Sequence, residues 1–220
     1  MSKNVYVYCE GQTEESFVNR VLAPYLAYQG ICCTPIICTT SRKNHGQQKF
    51  RGGAQSYERI KYELTLLCKQ HRNEWVTTLF DYYGMPSDTP EINNQNPDLY
   101  ARISTIEQAI EKDIGLPNLF FHFSVHEFEG LLFSRPEAFE LIADPVIVEE
   151  IRQIRTDFQN PEFINNSYET APSKRLFALI PSYAKIRYGT ELSEYIGIEA
   201  ICSECPHFQK WVQTIIEKTK

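Results

Sequence analysis

Four carboxylates lie just beyond apolar segments of the chain that have the composition of strands. Each follows a run rich in β-branched or aromatic residues, and the four are Glu10, Asp81, Glu127 and Glu129. In an open α/β sheet the carboxyl ends of parallel strands meet at one crevice, where ligands bind. Acidic side chains that meet there repel one another unless a cation lies between them, and Mg²⁺ prefers oxygen ligands of this kind. The pattern therefore predicts a divalent-metal site that acts on phosphate.

The segment of residues 41–57 has the residue types of a phosphate-binding loop. It contains basic residues and no acid, and two glycines stand ahead of a predicted helix, where backbone N–H groups can approach phosphate. The candidate phosphate-binding residues are Lys49, Arg51, Gly52 and Gly53. A solvated surface loop is the alternative interpretation. The segment lacks the Gly-x-x-x-x-Gly-Lys-Ser/Thr pattern, so it is not an ATP-binding P-loop.

Strands and helices are predicted to alternate along the first 135 residues. The predicted strands are residues 4–9, 31–40, 75–80 and 119–125, with amphipathic helical patterns between them. In the first helix Thr13 is the expected cap, and Pro24 is expected to kink or end the helix near Ala23. This order of elements predicts an α/β fold with right-handed crossovers. Its mainly parallel four-stranded sheet would be flanked by helices.

The pattern changes after residue 135, where helical periodicity continues without further strands. Ser173 is the expected cap of one of these helices, and residues 160–172 have the composition of a loop. We therefore predict an α/β core in residues 1–135 and a helical extension, packed on that core, in residues 136–220.

Composition excludes some classes of protein and favours others. No apolar run of the 220-residue chain approaches the ~20 residues of a membrane helix, and no export signal opens it. An odd number of cysteines, seven, then predicts reduced thiols and a cytoplasmic protein. A net charge of −6 argues against a general nucleic-acid coat, but not against a local site that holds phosphate through a metal. Cys202, Cys205 and His207 form one incomplete zinc pattern, so buried structural thiols are favoured there.

Several motifs resemble a known family. Glu-Gly-x-x-Glu at residues 10–14 resembles the opening motif of the Toprim fold, which topoisomerases, bacterial primases and overcoming-lysogenization-defect (OLD) nucleases share. The chain is more similar still to a bacterial Toprim-like family known only as a domain of unknown function, number 4276. The segments that carry this resemblance are residues 9–15, 51–53, 80–84, 126–133, 171–175 and 205–208.

The resemblance implies roles for individual residues. Glu10 would be a metal-linked carboxylate that also serves as general acid or base, and Asp81 the first acid of the Asp-x-Asp metal motif. The chain departs from that motif because Tyr83 stands where the second Asp is expected. Glu127 and Glu129 are the natural replacements as metal ligands, with Glu127 the first choice because it is nearer the strand end.

The remaining roles complete a hypothesis of metal-dependent phosphodiester cleavage. Mg²⁺ or Mn²⁺ would activate water, with nucleic acid as the substrate. Glu14 would support the ligands or bind a second metal, while Lys174 and Arg175 would steady negative charge on the phosphate. The resemblance also implies a setting in phage defence beside an ATPase partner. The alternative is a catalytically degenerate Toprim-like subunit that docks to that ATPase, and the missing acid at Tyr83 favours it.

Overall fold

The computed structural model describes residues 3–38, 56–165 and 168–220 of the chain. Within these ranges the strands form a parallel sheet in the order β2-β1-β3-β4, and β5 also pairs with β3. The strands are β1 (Asn4–Cys9), β2 (Cys32–Ile37), β3 (Trp75–Asp81), β4 (Leu119–Phe120) and β5 (Phe123–Ser124). Helices cover both faces of the sheet, so the predicted α/β fold with a mainly parallel sheet flanked by helices is confirmed. The predicted phosphate-binding residues Lys49, Arg51, Gly52 and Gly53 lie outside the described residues.

The predicted fourth strand is present as two short pieces, β4 and β5. Both pairs run in one continuous register against β3, so the interruption inserts no residue. At the gap the buried Thr78 hydroxyl donates to the carbonyl oxygen of His122 and accepts from its N–H, both at 2.8 Å. A side chain thus replaces the backbone ladder at this point, which satisfies two buried polar groups.

Replacing Thr78 by valine is expected to lower the free energy of unfolding by about 2 kcal/mol. The substitution preserves shape but leaves the buried N–H and C=O of His122 without their partner. Urea unfolding of Thr78→Val and of Thr78→Ser, which keeps the hydroxyl, measures the effect. Equal losses in the two variants would show that packing, rather than the hydrogen bonds, is what matters here.

The first helical segment continues past the predicted break. It comprises α1 (Gln12–Phe17), a π-helical turn (Val18–Leu22) and α2 (Ala23–Ala27). Pro24 lacks an N–H and its ring crowds the carbonyl four residues earlier, and the wider π-helical turn directly before α2 accommodates both effects. The helix therefore does not end near Ala23, which was one of the two expected outcomes, and a kink there stays a prediction. The N-cap residue is Gly11 rather than Thr13.

The other helices cover the two faces of the sheet. They are α3 (Tyr57–Gln70), α4 (Leu99–Ile114), α5 (Pro145–Thr156), α6 (Pro172–Leu179), α7 (Lys185–Ile196), α8 (Ile198–Glu204) and α9 (Pro206–Thr219). Asp98 caps α4 by accepting a hydrogen bond from the N–H of Ala101 at 3.0 Å. The expected cap of α6 was wrong, because the cap position belongs to Ala171 and Pro172 begins the helix. No helix among the described residues has both the length and the apolar character needed to cross a membrane.

Alternating side chains of β1 belong to two different cores. Val5 and Val7 point into a core with α1 and with helices from the C-terminal part of the chain. Tyr8 points to the opposite face, into a core with α3 and α4. This alternation is the period of two that an extended strand imposes. The C-terminal helices thus share the first core with the sheet.

Candidate active site

Five carboxylates converge at the carboxyl end of the sheet. They are Glu10, Glu14, Asp81, Glu127 and Glu129. The Glu10 carboxylate, just after β1, accepts a hydrogen bond from the N–H of Asp81 at the end of β3, at 3.1 Å. The Asp81 carboxylate in turn accepts from the N–H of Phe128 at 2.8 Å. Two strand ends and the following segment are thus tied together at one place, as the topology of a parallel sheet requires.

A sharp turn at His126 brings the last two acids to the same place. His126 has a φ of 66°, in the left-handed region, and a 3₁₀ helix begins at Phe128. Glu127 accepts a hydrogen bond from the N–H of Ser173 at 2.9 Å, which satisfies a free N–H in the first turn of α6. Glu129, 2% exposed, forms an ion pair with Lys185 at 3.0 Å. Glu127 and Glu129 thus reach the same site although Glu129 lies in a 3₁₀ helix rather than in an extended segment.

The site concentrates negative charge away from water. Burial, together with the neighbouring acids, raises the pKa of Asp81 well above its ordinary range. Burial also raises the pKa of Glu10 and of Glu129, although Lys185 opposes the rise. Burial, with the charges of Glu10 and Glu129, raises the pKa of Glu14 to about 7. Carboxylate oxygens are the ligands that Mg²⁺ and Mn²⁺ prefer, and a cation would offset the repulsion between these acids.

Among the described residues, Lys185 is a cation at this site that the sequence did not reveal. Burial alone would lower its pKa, but Glu129, Glu127 and Asp81 outweigh that effect and raise it. Nothing in the local sequence distinguishes this lysine from others, because its position depends on how α7 packs against α1 and against the 3₁₀ helix that carries Glu129.

The two cations expected from sequence are neighbours near the start of α6, and their role stays a prediction. Lys174 is exposed on the helix surface. The Nε–H of Arg175 donates to the carbonyl oxygen of Thr170 at 2.7 Å, and its guanidinium lies 5.3 Å from the centre of the Phe158 ring. Both contacts anchor Arg175 to its own surroundings.

The segment after β3 forms one wall of the site. Tyr83 accepts a hydrogen bond from the side-chain amide of Asn165, and its ring centre lies 4.9 Å from that of His126. Gly84 packs directly on Glu10: a Cβ atom there would lie 2.9 Å from Glu10 Oε1. Only glycine leaves this carboxylate undisturbed, a requirement that the sequence gives no means of recognising.

A second cluster of ionisable side chains is buried inside the molecule. Its members come from α4, from the interruption between β4 and β5, and from α9. Glu107, His122 and His207 bring one ligand atom each to within 4.8 Å of one another, an arrangement that could hold a metal ion. Glu107 Oε1 lies 2.9 Å from Nε2 of His207 and 3.8 Å from Nδ1 of His122. No other group of three histidine, cysteine or acidic side chains among the described residues brings its ligand atoms this close together. The zinc pattern considered from sequence contributes only His207, and Cys205 is a buried free thiol beside Ser134.

The chain matches one family model over most of its length and is similar to several solved structures. The model of a family described as domain of unknown function (DUF4276) matches residues 9–216. The chain matches no curated protein. Among solved structures it is similar to the C-terminal region of the Burkholderia pseudomallei OLD protein, with 17% identity, a TM-score of 0.45 and 100% of both chains covered. It is also similar to the C-terminal region of the Xanthomonas campestris pv. campestris OLD protein, with 16% identity, a TM-score of 0.39 and 97% of both chains covered.

Proposed function

The chain belongs to the DUF4276 family, and we propose that it is a Mg²⁺- or Mn²⁺-dependent phosphodiesterase of Toprim type that cleaves nucleic acid. The observation that supports this most is the convergence of five carboxylates and one lysine at the carboxyl end of a parallel sheet. Such a cluster is costly to assemble, because burial and mutual repulsion oppose its ionisation. A bound cation removes that cost, which gives a physical reason for the arrangement.

The contacts of each side chain suggest its role in the proposed reaction. Glu10, Asp81 and Glu129 would hold the metal, and Glu127, which accepts a hydrogen bond from the first turn of α6, would complete the set. When bound, Mg²⁺ supplies an activated water and neutralises charge on the scissile phosphate. The Asp81 N–H fixes Glu10, and Gly84 leaves room for it. Glu14, whose pKa is about 7, is suited to exchange a proton near neutral pH.

Lys185 would steady the negative charge that develops on the phosphate. It already lies 3.0 Å from Glu129 and within the field of Asp81, so it is held at the site before substrate arrives. A preorganised cation of this kind is worth more than one that must be recruited from the surface. The phage-defence setting and the ATPase partner belong to the same proposal and rest on the family resemblance alone.

A degenerate subunit is the second candidate function. Tyr83 offers a hydroxyl where the Toprim pattern has a carboxylate, and a hydroxyl is a poor Mg²⁺ ligand. In this alternative the protein docks to an ATPase partner and cleaves nothing.

Cleavage assays and calorimetry separate the two candidates. Supercoiled plasmid and a structured RNA are incubated with the protein in Mg²⁺, Mn²⁺ or EDTA, and metal binding is titrated separately. The proposal expects heat of binding at millimolar metal or below, and nicking or fragmentation that EDTA abolishes. Absence of metal binding up to several millimolar would reject the enzyme and favour the subunit.

Replacing Lys185 by methionine is expected to slow cleavage by about 10²-fold while tightening metal binding. Both changes have one cause: removing the positive charge deprives the phosphate of a partner and releases Glu129 from its ion pair, so that it can bind the metal. Cleavage rates and calorimetric affinities for Lys185→Met and Lys174→Met measure them. Lys174 is the matched control, since it is exposed on α6. Slower cleavage with Lys174→Met alone would return the role to the residue expected from sequence.

A further inference from the structure

The buried cluster of Glu107, His122 and His207 contains none of the five carboxylates of the acidic site and has no role in the proposed cleavage. Each of its residues is at most 8% exposed. They come from α4, from the interruption between β4 and β5, and from α9, so the cluster joins three parts of the fold. Burying a carboxylate and two imidazoles is costly unless each polar atom finds a partner or the group holds an ion.

Glu107 and His207 are held in place by other groups. Glu107 Oε1 accepts a hydrogen bond from the N–H of Phe123 at 2.9 Å and lies 2.9 Å from Nε2 of His207. The backbone N–H groups of His207 and Phe208 donate to the buried carboxylate of Glu162, at 3.0 and 2.9 Å, and this fixes the first turn of α9. Both side chains are therefore positioned by their surroundings, as the ligands of a metal site usually are.

His122 is the member of the cluster that lacks a partner. Its ring stacks on Trp211, with centres 4.5 Å apart and planes inclined by 6°, which fixes its orientation. Its Nε2 is buried with no hydrogen-bond partner among the described residues, and its Nδ1 lies 3.8 Å from Glu107 Oε1, too far for a hydrogen bond. A buried imidazole in this state costs more than a phenyl ring of similar shape would cost. A ligand at Nδ1 gives a physical reason for a histidine here.

We propose that Glu107, His122 and His207 bind a Zn²⁺ ion that ties α4 and α9 to the edge of the sheet. Two imidazole nitrogens and one carboxylate oxygen form a ligand set that zinc accepts, with water at the fourth position, whereas Mg²⁺ prefers oxygen alone. Bonds of roughly 2.0–2.1 Å in a tetrahedron place ligand atoms about 3.3 Å apart. The two separations from Glu107 Oε1, 2.9 and 3.8 Å, lie on either side of that value.

Binding requires a local change in the cluster. The rings of His122 and His207 have centres 4.8 Å apart and planes inclined by 22°, so one ring must turn out of this stack before both nitrogens point to the same ion. Because Trp211 holds His122, we expect His207 to be the ring that turns. The side chains of Glu107 and His207 are 11% and 7% exposed, so the cluster is not sealed from solvent.

Titration of the full chain with Zn²⁺ and with Co²⁺ tests the site. Metal-free protein is titrated in millimolar Mg²⁺, which competes for sites built from carboxylates alone, and binding is followed by calorimetry and by melting temperature. One Zn²⁺ should bind per chain and raise the melting temperature by about 5 °C or more at a hundredfold excess over the dissociation constant. Co²⁺ should give visible absorption bands without the near-ultraviolet band that thiolate ligands add, which excludes the seven cysteines as ligands.

Variants of the cluster separate metal binding from packing. His122→Phe keeps an aromatic ring against Trp211 and removes both nitrogens, so without metal it should melt at or above the wild-type temperature. Its response to Zn²⁺ should disappear. Glu107→Gln can still accept from the N–H of Phe123, and it should bind Zn²⁺ about 100-fold more weakly than the wild type in calorimetry.

His71→Gln is the matched control, since His71 pairs with Glu74 and belongs to no such cluster among the described residues. It should keep the wild-type response to Zn²⁺. Absence of Zn²⁺ binding by the wild type at high micromolar concentrations, an unchanged response in His122→Phe and Glu107→Gln, or a thiolate band with Co²⁺ would each overturn the proposal. The result is independent of the cleavage assay: a wild type that binds Zn²⁺ here but cleaves nothing keeps the zinc site and rejects the nuclease.

Discussion

Glu10→Gln and Asp81→Asn are each expected to reduce metal-dependent cleavage by about 10³-fold. Each substitution removes one negative charge and one ligand from the proposed centre, and the metal contributes several kcal/mol of charge stabilisation to phosphate chemistry. Shape and hydrogen bonds are preserved, because the remaining side-chain oxygen can still accept from the N–H of Asp81 or Phe128. Single-turnover cleavage of a plasmid in saturating Mg²⁺ measures the loss.

Stability measurements show whether that loss reflects chemistry or unfolding. Burial raises the pKa of both acids, so their ionised forms are destabilising without metal and both variants should be at least as stable as wild type in EDTA. Glu150→Gln, on the exposed surface of α5, is the control and should change neither activity nor stability. Wild-type rates in both site variants would exclude these residues from catalysis.

The metal-free protein is expected to lose stability as pH rises from about 4.5 to 7, and Glu14 contributes most clearly. Its pKa is about 7 in the folded protein against 4.5 ordinarily, so the folded state binds the proton more tightly. The folded state therefore holds more protons across this interval, and the free energy of unfolding falls by about 3 kcal/mol from this group alone. Urea unfolding in EDTA at pH 4.5, 6 and 8 measures the decrease.

Glu14→Gln should flatten this pH dependence, because glutamine still accepts from the Gly11 N–H but carries no proton to lose. Glu10 and Asp81 have pKa values raised for the same reason, so a smaller decrease should persist in the variant. Millimolar Mg²⁺ should offset the loss at pH 8 by binding only the folded state. Stability that rises with pH in EDTA would contradict the described charge distribution.

The local pattern of the chain predicted the elements that carry the acids. Strand ends at Cys9 and Asp81 follow from runs of β-branched and aromatic residues, and a parallel order followed from the alternation with helices. Breaks within elements were harder to predict. The gap at His122 depends on a hydroxyl from β3, and the π-helical turn before Pro24 depends on how the helix relieves crowding.

The sequence by itself determined the fold class, the family resemblance and the acids at the strand ends, because each depends on residues close together in the chain. Tertiary structure alone decided which cation meets those acids. Lys185 reaches Glu129 because α7 packs on α1 and on the 3₁₀ helix that carries Glu129. Such pairings join residues far apart in the chain, and no local period or motif specifies them. These pairings depend on the burial of apolar helix faces. That burial fixes the position of each helix, and the position decides which charged side chain reaches the acids.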